Sequence, residues 1–95
     1  MTRPQFQIEY RSGEGYEPDF VAETKNRSLI LEVKAGNEMD DPIVQAKAAA
    51  ASKWCKTANI HAEAARSKPW TYALIPDDQI NGAATLDGLL ARFSR

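Results

Sequence analysis

The segment Ser28-Leu29-Ile30-Leu31-Glu32-Val33-Lys34-Ala35 constrains this chain more than any other. It is the most apolar stretch, yet an acid and a base stand two residues apart inside it. Successive side chains of a strand leave opposite faces, so Glu32 and Lys34 share one face while Leu29, Leu31 and Val33 take the other. One face reads as core and the other as chemical. A strand this apolar does not face water on both sides, which places it inside a sheet.

The flanking segments supply the sheet. Phe6 to Arg11 alternates apolar and polar residues as a half-buried strand does, and Ser12-Gly13-Glu14-Gly15 supplies turn chemistry. Tyr16 to Thr24 reads as a second strand, Lys25-Asn26-Arg27 as a turn, and Ser28 to Ala35 as the third. A three-stranded antiparallel meander with its first strand at the edge is the expectation. Asp40-Asp41-Pro42 is a helix start, with a side-chain acceptor at the N-cap and proline where its missing N–H costs nothing. The helix is expected to run to about Asn59, with Ile43, Ala46, Ala50, Trp54 and Ala58 as its apolar stripe and Ala51 and Cys55 alongside. Residues 60–68 suggest a further helical turn, and Trp70 to Ile75 a fourth strand that Pro76-Asp77-Asp78 breaks. Leu86, Leu89, Leu90 and Phe93 then define a short amphipathic helix capped by Thr85. The order is βββαβα, an α/β (α+β) arrangement.

A chain of 95 residues suits a single domain, residues 1–95, with one small sheet and its helices. No apolar stretch is long enough for a secretion signal or a membrane span, so a cytoplasmic location and no membrane partner are expected. Cys55 is the sole cysteine, which excludes an internal disulfide and a cysteine-rich zinc site. No glycine-rich phosphate loop is present. Net charge is −1, but residues 42–70 carry five basic and one acidic side chain, a local +4 beside an acidic first part. Lys47, Lys53 and Lys56 on the helix are therefore candidates for contact with phosphate, with Gln45 nearby, although a solvated helix face has the same pattern.

The candidate chemistry depends on the hairpin register. With Lys25-Asn26 as a two-residue loop, Thr24 pairs with Arg27 and Asp19 falls opposite Glu32; with Asn26-Arg27 as the loop, Asp19 falls opposite Lys34. Both registers put the Asp19 carboxylate on the face of Glu32 and Lys34. Two adjacent carboxylates repel unless a proton or cation lies between them. Mg²⁺, or Mn²⁺, fits such a site, with Asp19, Glu32 and the Val33 carbonyl as protein ligands and waters and phosphate oxygens completing the shell. Lys34 would stabilise developing negative charge. The bland alternative is a cross-strand surface salt bridge worth under about 1 kcal/mol.

Pro18-Asp19, a hairpin and Glu32-Val33-Lys34 resemble the motif of the PD-(D/E)xK nuclease superfamily. Phe6-Gln7-Ile8-Glu9-Tyr10, Tyr16-Glu17-Pro18-Asp19-Phe20-Val21, Leu29-Ile30-Leu31-Glu32-Val33-Lys34 and Lys47-Ala48-Ala49-Ala50-Ala51-Ser52-Lys53-Trp54 are similar to the C-terminal endonuclease domain of type III restriction enzyme Res subunits. Asn59 and Trp70-Thr71-Tyr72-Ala73 also fit that pattern. The resemblance implies a restriction-endonuclease-like core lacking the usual first helix, with Asp19 and Glu32 as metal ligands and Lys34 as the catalytic lysine. It implies phosphodiester hydrolysis in DNA, with a homodimer or a helicase-type motor as partner. The rival expectation is an inactive nuclease-fold module that binds nucleic acid or a protein. His61 lacks a ligand partner at metal spacing, and Trp54, Trp70 and Cys55 read as core.

Overall fold

The computed structural model describes residues 7–95, so the expected start of the first strand at Phe6 lies outside the described residues. Ile8–Arg11 (β1) and Glu14–Tyr16 (β2) form an antiparallel hairpin, with Gly13 at φ 77° in its turn. Phe20–Glu23 (β3) and Ser28–Lys34 (β4) form a second hairpin. Pro42–Ala65 (α1) crosses to Trp70–Pro76 (β5), which lies parallel to β4, and Leu86–Phe93 (α2) follows. The result is a mixed α/β fold of small sheets and two packed helices.

The expected meander is not formed. The stretch from Tyr16 to Thr24 divides at Glu17-Pro18-Asp19, so β1 and β2 make their own two-stranded sheet while the other sheet runs β3-β4-β5. Proline has no N–H for a ladder, which ends the pairing there. β4 is interior, as its composition demands, but the edge beside it is β3 and not the first strand.

Alternation predicts one core face and one chemical face for β4; instead both are covered. Ile30, Tyr72 and Leu74 pack under α1 with Ala48, Ala51 and Cys55, joined by Ile8 and Tyr16 from the first hairpin. Leu29, Ala73 and Ile75 pack on the opposite face against Leu90, with Leu31, Leu89 and Phe93 around them. Glu32 and Lys34 share the parity of Ile30, so they belong to the α1 face. The catalytic candidates therefore lie at the end of a packed layer, not on an open sheet surface.

Helix α1 begins where expected. Asp41 accepts from the N–H groups of Ile43 at 2.7 Å and Val44 at 3.3 Å, with Pro42 in the first turn. It extends through Ala65, six residues past Asn59, because Ile60 to Ala65 contains no breaker; Arg66 then ends it at φ 55°. Its buried line is Ala48, Ala51, Cys55 and Ala62, not the line through Ile43, which is 47% exposed. Alanine here brings the helix axis close to the sheet. The Asn59 side chain takes the place of a neighbouring strand, accepting the Trp70 N–H at 2.6 Å and donating to the Trp70 carbonyl at 3.0 Å. Trp54 and Trp70 meet edge to face with centroids 4.9 Å apart.

Candidate active site

The β3–β4 ladder pairs Glu23 with Ser28 and Phe20 with Leu31, and Thr24 N–H donates to Arg27 O at 2.8 Å. Lys25-Asn26 is thus the loop, and Asp19 lies one step past the last pair, towards Glu32. In an antiparallel ladder, hydrogen-bonded and non-hydrogen-bonded pairs alternate, and side chains approach more closely in the latter. Counting from the hydrogen-bonded pair at Thr24 and Arg27, positions 19 and 32 fall in a non-hydrogen-bonded step, and Val33 faces Pro18. Pro18 has no N–H to give the Val33 carbonyl. The Val33 N–H itself donates to Asp19 Oδ2 at 3.1 Å.

Lys34 Nζ stands 3.7 Å from the same Asp19 oxygen, with both side chains about one-third exposed. At that distance and exposure the pair adds little stability, under about 1 kcal/mol. Glu32 is different. It is 4% exposed, the one charged residue in the core of the described residues, and its Oε1 has no hydrogen-bond partner there. Burial raises its pKa above the ordinary carboxylate value, and the Asp19 charge adds to this; the Tyr16 hydroxyl and the Lys34 charge act in the opposite direction.

Tyr16, whose only sequence signal is the start of a strand, closes the site from the side. Its hydroxyl donates to the Lys47 carbonyl at a long 3.2 Å while lying close enough to influence Glu32. Burial first, and then the Glu32 charge, hold the phenol above its usual range, and the same two causes act on Tyr72. No spacing rule finds Tyr16, because its proximity depends on how the β1–β2 hairpin lies against the first turns of α1. A small cavity lined by Glu32, Lys34, Val44, Lys47, Tyr72 and Leu74 adjoins the carboxylate.

The helix candidates separate. Lys47 lines that cavity with its ammonium over the rings of Tyr10 at 5.1 Å and Tyr16 at 5.4 Å. Lys53 and Lys56 are exposed. Lys56 follows Lys47 by nine residues, two and a half helical turns, and so leaves the opposite side of α1. The three lysines do not form one stripe. Gln45 is committed to structure: its Nε2 donates to the Met39 carbonyl and its Oε1 accepts from Arg95. His61 is exposed, and burial pushes the Cys55 thiol up to about 11, which leaves it unreactive.

Among the described residues no group of three His, Cys, Asp or Glu side chains gathers to hold a metal ion. Two carboxylates do stand together at this strand end, Asp19 and Glu32, the latter with its Oε1 unpartnered among the described residues. No helix among the described residues is long and apolar enough to cross a membrane. Comparisons with family models, with curated proteins and with solved structures return no match.

Proposed function

We propose that this chain is a divalent-metal-dependent nuclease core that hydrolyses phosphodiester bonds in DNA, built on a restriction-endonuclease-like arrangement of β3, β4, α1 and β5. The observation that carries this reading is Glu32: a buried carboxylate with an unpartnered oxygen, across the strand end from Asp19 and two residues from Lys34. Leaving such an oxygen unsatisfied costs about 1–3 kcal/mol or more, a cost that fits a ligand or catalytic duty better than a structural one. Asp19, Glu32 and the Val33 carbonyl would hold Mg²⁺ or Mn²⁺. An ion held there would supply an acidified water and would neutralise charge on the scissile phosphate. Lys34 places its ammonium where negative charge develops, and Lys47 adds a second cation at the cavity.

The experiment is a plasmid-nicking assay of the highly purified chain with Mg²⁺ or Mn²⁺. Wild type should nick, and Asp19→Ala and Lys34→Ala should lose at least about 100-fold while retaining the native circular dichroism spectrum. Absence of cleavage of plasmid, oligonucleotide and RNA with either ion would overturn the reading. A second reading, a catalytically inactive nuclease-fold module that binds nucleic acid or a protein such as a motor subunit, is favoured by one observation. Asp19 Oδ2 is already occupied by the Val33 N–H, and no third acid among the described residues joins the pair. Salt-dependent DNA binding without turnover, and no local amide shifts at Asp19, Glu32 or Val33 on Mg²⁺ titration, would select it.

A further inference from the structure

The two edges of the β3-β4-β5 sheet are treated differently. The outer edge of β5 is closed: Asn59 satisfies both backbone groups of Trp70, Arg95 N–H donates to Tyr72 O at 2.9 Å, and Ser94 bridges to Ala73. The outer edge of β3 carries no such cover among the described residues. All four of its residues are exposed, Phe20 to 57% and Val21 to 37%. The hairpin register turns the backbone groups of Phe20 and Ala22 towards β4 and those of Val21 and Glu23 outwards, where no described backbone bond meets them. Phe20-Val21-Ala22-Glu23 is short, but it holds no proline, bulge or lysine, and its one charge, on Glu23, is paired with Lys68.

We propose that this edge pairs antiparallel with the same edge of a second copy of the chain, about a two-fold axis at Ala22. Charge selects both the partner and the register. A two-fold at Val21 would set Asp19 against Glu23 of the second copy twice over, and one at Phe20 would set Glu17 against Glu23. A two-fold at Ala22 instead sets Val21 against Glu23, whose charge Lys68 already neutralises, and turns the Lys25-Asn26 loop of the second copy, with its cation, towards the end of the strand that Asp19 precedes. In that register Val21 and Glu23 exchange backbone hydrogen bonds across the axis, and the Phe20 ring lies over Ala22 and Thr24 of the second copy. The sheet becomes continuous through six strands. The pairing does not depend on the nuclease reading, although it brings Lys25 of the second copy towards Asp19.

Sedimentation velocity of the full chain from micromolar to millimolar concentration tests this. Mass should double with concentration for wild type and stay monomeric for Val21→Pro, whose lost N–H faces outwards and leaves the β3–β4 ladder intact. Val21→Lys is expected to do the same should the proline variant unfold. Ala22→Cys should form an intermolecular disulfide rapidly under mild oxidation, and Val21→Cys should not, since Ala22 alone meets its own copy; Cys55 is buried and silent. A wild type monomeric throughout, a dimer that survives Val21→Lys, or cross-linking no faster for Ala22→Cys than for Val21→Cys would each overturn the proposal.

Discussion

Asp19 acts as the strand partner that Val33 otherwise lacks: its Oδ2 accepts the Val33 N–H at 3.1 Å where the β3–β4 ladder ends beside Pro18. The carboxylate thus has a structural duty that is separable from its charge. Asp19→Asn keeps an acceptor for that N–H and should hold stability within about 0.5 kcal/mol, whereas Asp19→Ala should cost about 1 kcal/mol. Both remove the negative charge facing Lys34. Calorimetric titration should therefore show Mg²⁺ affinity reduced at least about tenfold in both variants. Undiminished binding by Asp19→Asn would remove Asp19 from the ligand set.

Glu32 should make the metal-free protein less stable as pH rises. Its ordinary value is 4.5, and burial together with the Asp19 charge raises it in the folded chain. Below 4.5 the group is protonated in both folded and unfolded states and exacts no penalty. Between that value and the raised one the folded state holds the extra proton, so stability declines across this window and levels off above it. Glu32→Gln removes the titration and should raise stability at neutral pH by about 1 kcal/mol or more while abolishing metal binding. Urea denaturation in chelator from pH 4 to 8 checks it. Parallel stability curves for wild type and variant across the window would contradict the assignment.

The Asn59 amide closes the β5 edge with two bonds to one residue, at 2.6 and 3.0 Å. Asn59→Ala removes both side-chain bonds to the part-buried Trp70 backbone and should cost about 2–4 kcal/mol, near the upper end for a polar truncation. Asn59→Asp keeps the acceptor and loses the donor, so it should recover roughly half. Chemical denaturation of the three proteins gives the comparison. Equal losses for the two substitutions would show that the bond from the Trp70 N–H carries nothing.

Local chemistry makes much of this molecule legible. Asp41-Pro42 sets the start of α1, Thr85 the start of α2, and Lys25-Asn26 the hairpin that aims Asp19 at Glu32. Departures from the sequence pattern lie where a tertiary neighbour decides the outcome. Pro18 reads as part of a motif, yet it is also the break that splits a strand. Ile43 fits a helical stripe by spacing, but the sheet takes the face of Ala48 and Ala51, because only small residues allow α1 to approach so closely. Glu32 lies on a face that alternation labels chemical; only the crossover of α1 to a parallel β5 shows that this face is buried. Tyr16 enters the site from a separate sheet, which no local pattern encodes.

The basic helix offers the sharpest division between a solvated face and a functional one. Lys47 and Lys56 leave opposite sides of α1, so a duplex seated at the Glu32 cavity can meet the first and not the second. Each lysine that neutralises a phosphate contributes about one unit to the slope of log affinity against log salt. Lys47→Met keeps the aliphatic packing between Tyr10 and Tyr16 and should lower that slope by about one, with a stability cost of roughly 0.5–1 kcal/mol from the lost ring contacts. Lys56→Gln should leave slope and stability unchanged. Fluorescence anisotropy of a labelled duplex over a salt series distinguishes them. A fall in slope for Lys56→Gln with none for Lys47→Met would mean that DNA approaches from the outer side of α1, away from the carboxylates, and would detach the basic helix from the candidate site.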